Sequence, residues 1–171
     1  KAEIADGRKK GLQWIIVGMH KVCINAETKY CEVGKELMDV LIDEKVDLIL
    51  QSHAHAYERS FPLSCIKVDA FDPHCVGSTS KHEYTQGAGT VFVMAGTGGG
   101  YLRHITQADA ERPYFVKAMG LDEGGHFGVV SLSGTFCAGI GGAAKTSRAL
   151  PLSMRASPEA SHAEGSRSVN K

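Results

Sequence analysis

The stretch Leu48 to Ser60, LILQSHAHAYERS, constrains this chain more than any other, because an apolar run ends abruptly in two histidines one residue apart. Such a run reads as a buried strand. Side chains at i and i+2 of a strand share one side, so His53 and His55 are predicted to face one pocket if extended geometry persists through Ala54. Paired imidazoles suit a metal ion; two exposed loop histidines are the alternative that the pair alone leaves open. A second run, Gln13 to His20 (QWIIVGMH), also ends in a histidine and reads as another core strand. Two strand ends thus deliver three imidazoles.

The chain between these runs predicts a helix over 32–45. Val33, Leu37, Val40 and Leu41 form its apolar stripe, while Glu32, Lys35, Glu36, Asp39, Asp43 and Glu44 supply polar faces. With strands over 12–19 and 47–51 this makes a strand-helix-strand unit, whose strands lie parallel and bring both histidine-bearing ends to one sheet edge. A strand over 62–68, an irregular loop over 69–89 and a strand over 90–95 are predicted next. They are followed by a helix near 107–118, interrupted by Pro113, and a last strand over 126–133. From Ala138 the sequence is rich in glycine, alanine and serine and loses any sustained apolar period. The expected organisation is therefore one α/β domain over 1–137 and a disordered tail over 138–171.

Composition removes several classes of function. Lysine plus arginine number 19, as do aspartate plus glutamate, and no dense basic stretch interleaves with aromatics, which argues against a nucleic-acid groove. Apolar runs such as Val91 to Ala95 fall far short of the ~20 residues needed to cross a bilayer, so no membrane span is expected. Cys23 and Cys31 flank one polar loop and Cys65 and Cys75 another. Two local disulfides are the preferred pairing and point to secretion, with reduced buried thiols as the alternative. Gly96, Gly98, Gly99 and Gly100 lack the spacing of a dinucleotide fingerprint and read as a tight turn. His74, His82, His104 and His126 belong to no motif and read as loop or surface residues.

Taken together these segments resemble a known family. Val17-Gly18-Met19-His20 fits the VxxH motif of purple acid phosphatases, within the calcineurin-like metallophosphoesterases, and Ser52-His53-Ala54-His55 stands where those enzymes have GHxH. Ala56 to Ser60 (AYERS) is similar to the sequence that follows GHxH, Val91 to Gly99 (VFVMAGTGG) to the later strand and glycine turn, and His126 to Ser131 (HFGVVS) to a late strand. The resemblance spans about residues 12–135. It implies the C-terminal half of an α/β/β/α sandwich and a secreted enzyme that hydrolyses phosphate monoesters through a dinuclear metal centre, iron paired with zinc, manganese or iron. It further implies that His20 and His53 bind the divalent ion and that His55 binds the ferric ion.

The resemblance is incomplete. The family's earlier aspartate, its GDxxY and its GNH do not appear in these residues, so the chain is read as a C-terminal piece of a longer enzyme, inactive by itself. Ser52 replaces a glycine, which costs strain if that position needs positive φ. The family histidines that follow VxxH and donate a proton to the leaving group are absent from Cys23 to Tyr30 (CINAETKY), leaving the general acid unassigned. Lys29 and Tyr30 occupy that neighbourhood and read as a solvated lysine and a packing tyrosine. A phosphate ester is the expected ligand. The alternative is a non-catalytic secreted binding module that keeps a remnant of the fold.

Overall fold

The computed structural model describes residues 1–123 and, beyond them, the backbone of four strands, Gly128–Ser131, Gly134–Ile140, Ala143–Ala149 and Ser153–Ala156. Within the first part, Ala2–Lys9 forms α1, Trp14–Gly18 β1, Lys35–Asp43 α2, Leu48–Gln51 β2, Tyr57–Ser60 β3, Val91–Ala95 β4 and Phe115–Met119 β5. The four later strands are β6 to β9 in the order given. The sheet runs β5-β3-β4-β2-β1-β7-β8, and β6 pairs with β9 apart from it.

Three apolar runs build the centre of this α/β fold. β1, β2 and β4 lie parallel, with Ile16 opposite Leu48 and Ile49 opposite Phe92. Val91, Phe92, Val93 and Met94 are all buried, the mark of a strand covered on both faces rather than one. Alternate side chains divide between two clusters. Ile15, Ile49 and Phe92 pack with Met38, Leu41 and Ile42 of α2, whereas Ile16, Leu48, Val91 and Val93 pack with Tyr57. Each fully buried aliphatic side chain stabilises the fold by roughly 1.5–3 kcal/mol. The strand-helix-strand unit expected from the sequence is therefore present, with its strands parallel.

Four local expectations are corrected. The buried face of α2 is Met38, Leu41 and Ile42, while Leu37, assigned to the stripe, is 43% exposed. No strand forms over 62–68. The strand is β3, directly after the histidines, and Leu63 makes only isolated bridges to Val76 and Thr90. Pro62 has no N–H to give a ladder, and Cys65 is tied to Cys75. The predicted helix over 107–118 is a short 3₁₀ turn, Arg112–Tyr114, followed by β5, which pairs antiparallel with β3. Pro113 is tolerated only in such a first turn. Finally, α1 was not foreseen. Arg8 seats it, donating to Asp47 Oδ2 at 2.7 Å and to the Lys45 carbonyl at 2.8 Å.

Both expected disulfides, Cys23–Cys31 and Cys65–Cys75, are formed. The last predicted strand corresponds to β6. The segment 138–171, expected as a tail, contains the end of β7 and the backbone of β8 and β9, and residues 157–171 lie outside those described. His126 also lies outside them. No helix among the described residues is long and apolar enough to cross a membrane.

Candidate metal centre

The ladder between β1 and β2 continues past both strands and sets the histidines side by side. Met19 N–H donates to the Leu50 carbonyl at 2.9 Å and Ser52 N–H to the His20 carbonyl at 3.2 Å. Immediately afterwards the chain turns. His53 has φ 67°, a left-handed conformation that histidine visits more readily than most residues, and Ala54 N–H bonds back to the Ser52 carbonyl at 2.8 Å. The strained position is thus His53 itself, and Ser52, standing where the family has glycine, is not a positive-φ residue. Extended geometry does not persist through Ala54, so His53 and His55 do not share a side in the simple way a strand would give.

The turn swings His53 onto His20. Nδ1 of His53 lies 3.3 Å from Nε2 of His20, with the ring centroids 5.2 Å apart. Behind the pair, Nε2 of His53 faces Glu32 Oε1 at 3.3 Å. Glu32 Oε2 is buried and has no hydrogen-bond partner among the described residues. Sequence reasoning placed Glu32 on a polar helix face. It instead stands before α2, beside the Cys23–Cys31 bridge, where its N–H donates to the Val22 carbonyl at 2.9 Å.

His55 is positioned separately, by the glycine-rich loop after β4. Its Nδ1 lies 2.7 Å from the Tyr101 carbonyl, which fixes a tautomer protonated at Nδ1 and leaves Nε2 as the free donor. Gly96 and Gly100 permit this approach. A Cβ on Gly96 would stand 1.6 Å from the Ala54 carbonyl oxygen, and one on Gly100 would stand 2.5 Å from Cε1 of the His55 ring. The glycines read as a mere turn are therefore contact residues of a histidine, a role visible only once β3 returns the chain beside β4.

Buried carboxylates underlie the loop that follows His20. Glu58 of β3 is fully buried, its Oε1 accepts from Ala26 N–H at 3.1 Å, and burial pushes its carboxyl up to about 8. Glu111 accepts from Asn25 N–H and Asp69 N–H, both at 2.9 Å, and burial pushes it up to about 7. Glu27 is 8% exposed, and neither of its side-chain oxygens has a hydrogen-bond partner among the described residues. Burial raises its carboxyl, opposed by the charges of Arg103, Lys29 and His55.

Two nitrogens bound about 2.0–2.1 Å from a tetrahedral zinc stand about 3.3–3.4 Å apart, which is the His20–His53 spacing, while Glu32 meets the other ring nitrogen of His53 and orients it rather than adding a third ligand. The two imidazoles fit two positions around one divalent cation. His55 is not part of the same group: among the described residues no three His, Cys, Asp or Glu side chains are gathered closely enough to hold a metal. His74, His82 and His104 are exposed loop residues, His74 against Asp72 and His104 against Asp122. A cavity of about 350 Å³ lies elsewhere, at the opposite end of the sheet between Arg8, Lys45, Asp47 and Gln86, and receives none of the histidines.

No protein-family model matches the chain. Its fold resembles part of a purple acid phosphatase. The solved structure is that of the enzyme from yellow lupin (Lupinus luteus) seeds, with a TM-score of 0.52 and 22% identity, covering 74% of this chain and 21% of that one. A nucleotide pyrophosphatase/phosphodiesterase of Hordeum vulgare is 28% identical over 109 residues, 58% of this chain and 28% of the relative. An uncharacterized protein of Mycobacterium tuberculosis is 30% identical over 105 residues, 58% of this chain and 20% of the relative. The chain thus spans between a fifth and under a third of the length of the proteins it matches.

Proposed function

We propose that this chain is part of a metal-dependent phosphoesterase that acts on phosphate esters, with His20 and His53 holding one divalent cation and His55 contributing to a second metal, iron paired with zinc, manganese or iron. The observation that carries the reading is the His20–His53 pair, whose nitrogens stand at ligand spacing with Glu32 behind them. The fold likeness to a purple acid phosphatase and the hydrolase name of the barley relative support it.

When bound, such a pair of cations supplies Lewis acidity toward the ester and lowers the pKa of water. The remaining work belongs to this chain. Glu32 orients His53 through Nε2, and the Tyr101 carbonyl orients His55 through Nδ1, so each imidazole presents its other nitrogen to the site. Tyr30, expected to pack, is 71% exposed. No residue is assigned as general acid. Two disulfides support an oxidising, extracellular compartment in this reading. The non-catalytic binding module remains the second reading, favoured by the want of a third clustered donor among the described residues.

The test is hydrolysis of a phosphate monoester by the zinc- or manganese-loaded chain, alone and extended upstream, each beside its His53→Ala variant. Activity in the extended protein that disappears with His53 supports the enzyme. Metal uptake without hydrolysis in both supports the binding module.

A further inference from the structure

The loop between His20 and Glu32 is irregular yet buried. Val22, Cys23, Ile24, Asn25 and Ala26 are each no more than 1% exposed, so the backbone amides there cannot turn to water and must find partners inside the protein. Two carboxyls meet consecutive amides. Asn25 N–H donates to Glu111 Oε2 at 2.9 Å, and Ala26 N–H donates to Glu58 Oε1 at 3.1 Å. The Ala26 carbonyl accepts from Thr106 N–H at 2.8 Å, and Asn25 Oδ1 accepts from Glu27 N–H at 2.9 Å and from Lys29 N–H at 3.1 Å.

Both carboxyls stand on fixed backbone. Glu58 lies in β3 with a neighbouring strand on each side, opposite Met94 of β4 and Ala118 of β5. Glu111 precedes the Arg112–Tyr114 turn, and its other oxygen accepts from Asp69 N–H at 2.9 Å, inside the loop closed by Cys65–Cys75. What they hold ends at the histidines. The Cys23–Cys31 bridge and the bond from Glu32 N–H to the Val22 carbonyl at 2.9 Å close the loop, and Oε1 of that same Glu32 faces His53 Nε2 at 3.3 Å. An apolar side chain at position 58 or 111 would spare the fold a buried ionisable group but could accept from neither amide.

We propose that Glu58 and Glu111 are positioning residues of the His20–His53 cation site: by accepting the Ala26 and Asn25 amides they fix the loop that delivers Glu32 to His53. This rests on the metal reading of the two histidines and names what holds their orienting carboxylate in place. Partners that orient a ligating histidine from behind affect metal affinity without touching the ion, and these two carboxyls act one step further out.

The experiment is a cobalt titration of the full chain and its variants, followed by absorption, with urea melts of each metal-free protein beside it. Glu58→Gln keeps an acceptor for Ala26 N–H and should bind cobalt within about twofold of the wild type, whereas Glu58→Leu should weaken binding roughly tenfold. Glu111→Gln turns one of two accepting oxygens into a donor and should weaken it as well. In a Glu32→Ala background, itself weakened, neither Glu58→Leu nor Glu111→Gln should cost anything further, because the effect travels through Glu32. A merely structural pair would lower urea stability and leave cobalt affinity alone. Affinity unmoved by both substitutions, losses that add in full to that of Glu32→Ala, or a Glu32→Ala protein that binds like the wild type would each overturn the positioning role. If Glu58→Leu shows no unfolding transition in urea, Glu111→Gln alone and in the Glu32→Ala background decides by the same criteria. Cobalt uptake indifferent to His53→Ala overturns the cation site itself, and the positioning role with it.

Discussion

Glu58 makes the stability of this fold depend on pH in the sense opposite to an ordinary paired carboxylate. Its side chain is fully buried, one oxygen accepts only from Ala26 N–H, the other has no partner among the described residues, and burial lifts the carboxyl from 4.5 to about 8. A group whose folded pKa is raised is bound to its proton more firmly in the fold than in the unfolded chain. Its contribution is complete below about 4.5 and is lost as pH rises through about 8. The upper bound of that loss is on the order of 5 kcal/mol, a large fraction of the stability of a small domain. Glu111, raised to about 7 by burial, acts in the same direction. Urea melts in the presence of a chelator should therefore show stability falling between about pH 5 and about pH 9. Glu58→Gln keeps an acceptor for Ala26 N–H without the buried charge, so it should match the wild type near pH 5 and be the more stable protein near pH 9. Equal pH slopes in the two proteins would refute the reasoning.

Other substitutions separate the site from its scaffold. Gly100→Ala forces a Cβ into the His55 ring, and its second-metal affinity should drop roughly 10-fold or more, measured by zinc or manganese titration of the upstream-extended protein. Cys65→Ser with Cys75→Ser opens a loop of 10-residue separation and should cost roughly 2–3 kcal/mol in urea melts while leaving metal binding at His20 unchanged. Arg8→Ala strands the nearly buried Asp47 carboxylate, which also accepts from Ile15 N–H at 2.7 Å. It should cost about 2–3 kcal/mol by thermal or urea unfolding, again without effect at the histidines.

What the sequence made legible was the part built from continuous apolar runs. QWIIV, LILQ and VFVMA have too few polar residues to be anything but buried strands, and their ends carry His20 and His53 to one sheet edge. The rest was hidden by residues whose polarity misstates their burial. Glu58 and Ser60 are fully buried in β3, so YERS does not look like a strand, and the register slipped to 62–68. Val33 and Leu37 offered a stripe one step out of phase because the helix starts only at Lys35, after Gly34 at φ 81°. The left-handed His53 and the approach of Gly100 to His55 depend on how separated segments meet, which no periodicity records. Glu32 carries no motif. Its place beside His53 follows from the neighbour that the Val22 carbonyl gives its backbone.

The most direct test of the account is a cobalt titration of the chain followed by absorption spectroscopy, on the wild type and on His20→Ala, His53→Ala, the double variant and His55→Ala. If His20 and His53 share one cation, either single substitution abolishes the tight site, the double variant is no worse than the singles, and His55→Ala leaves it in place. Cobalt binding that survives loss of His20 or His53, or that depends on His55 alone, contradicts the proposed centre.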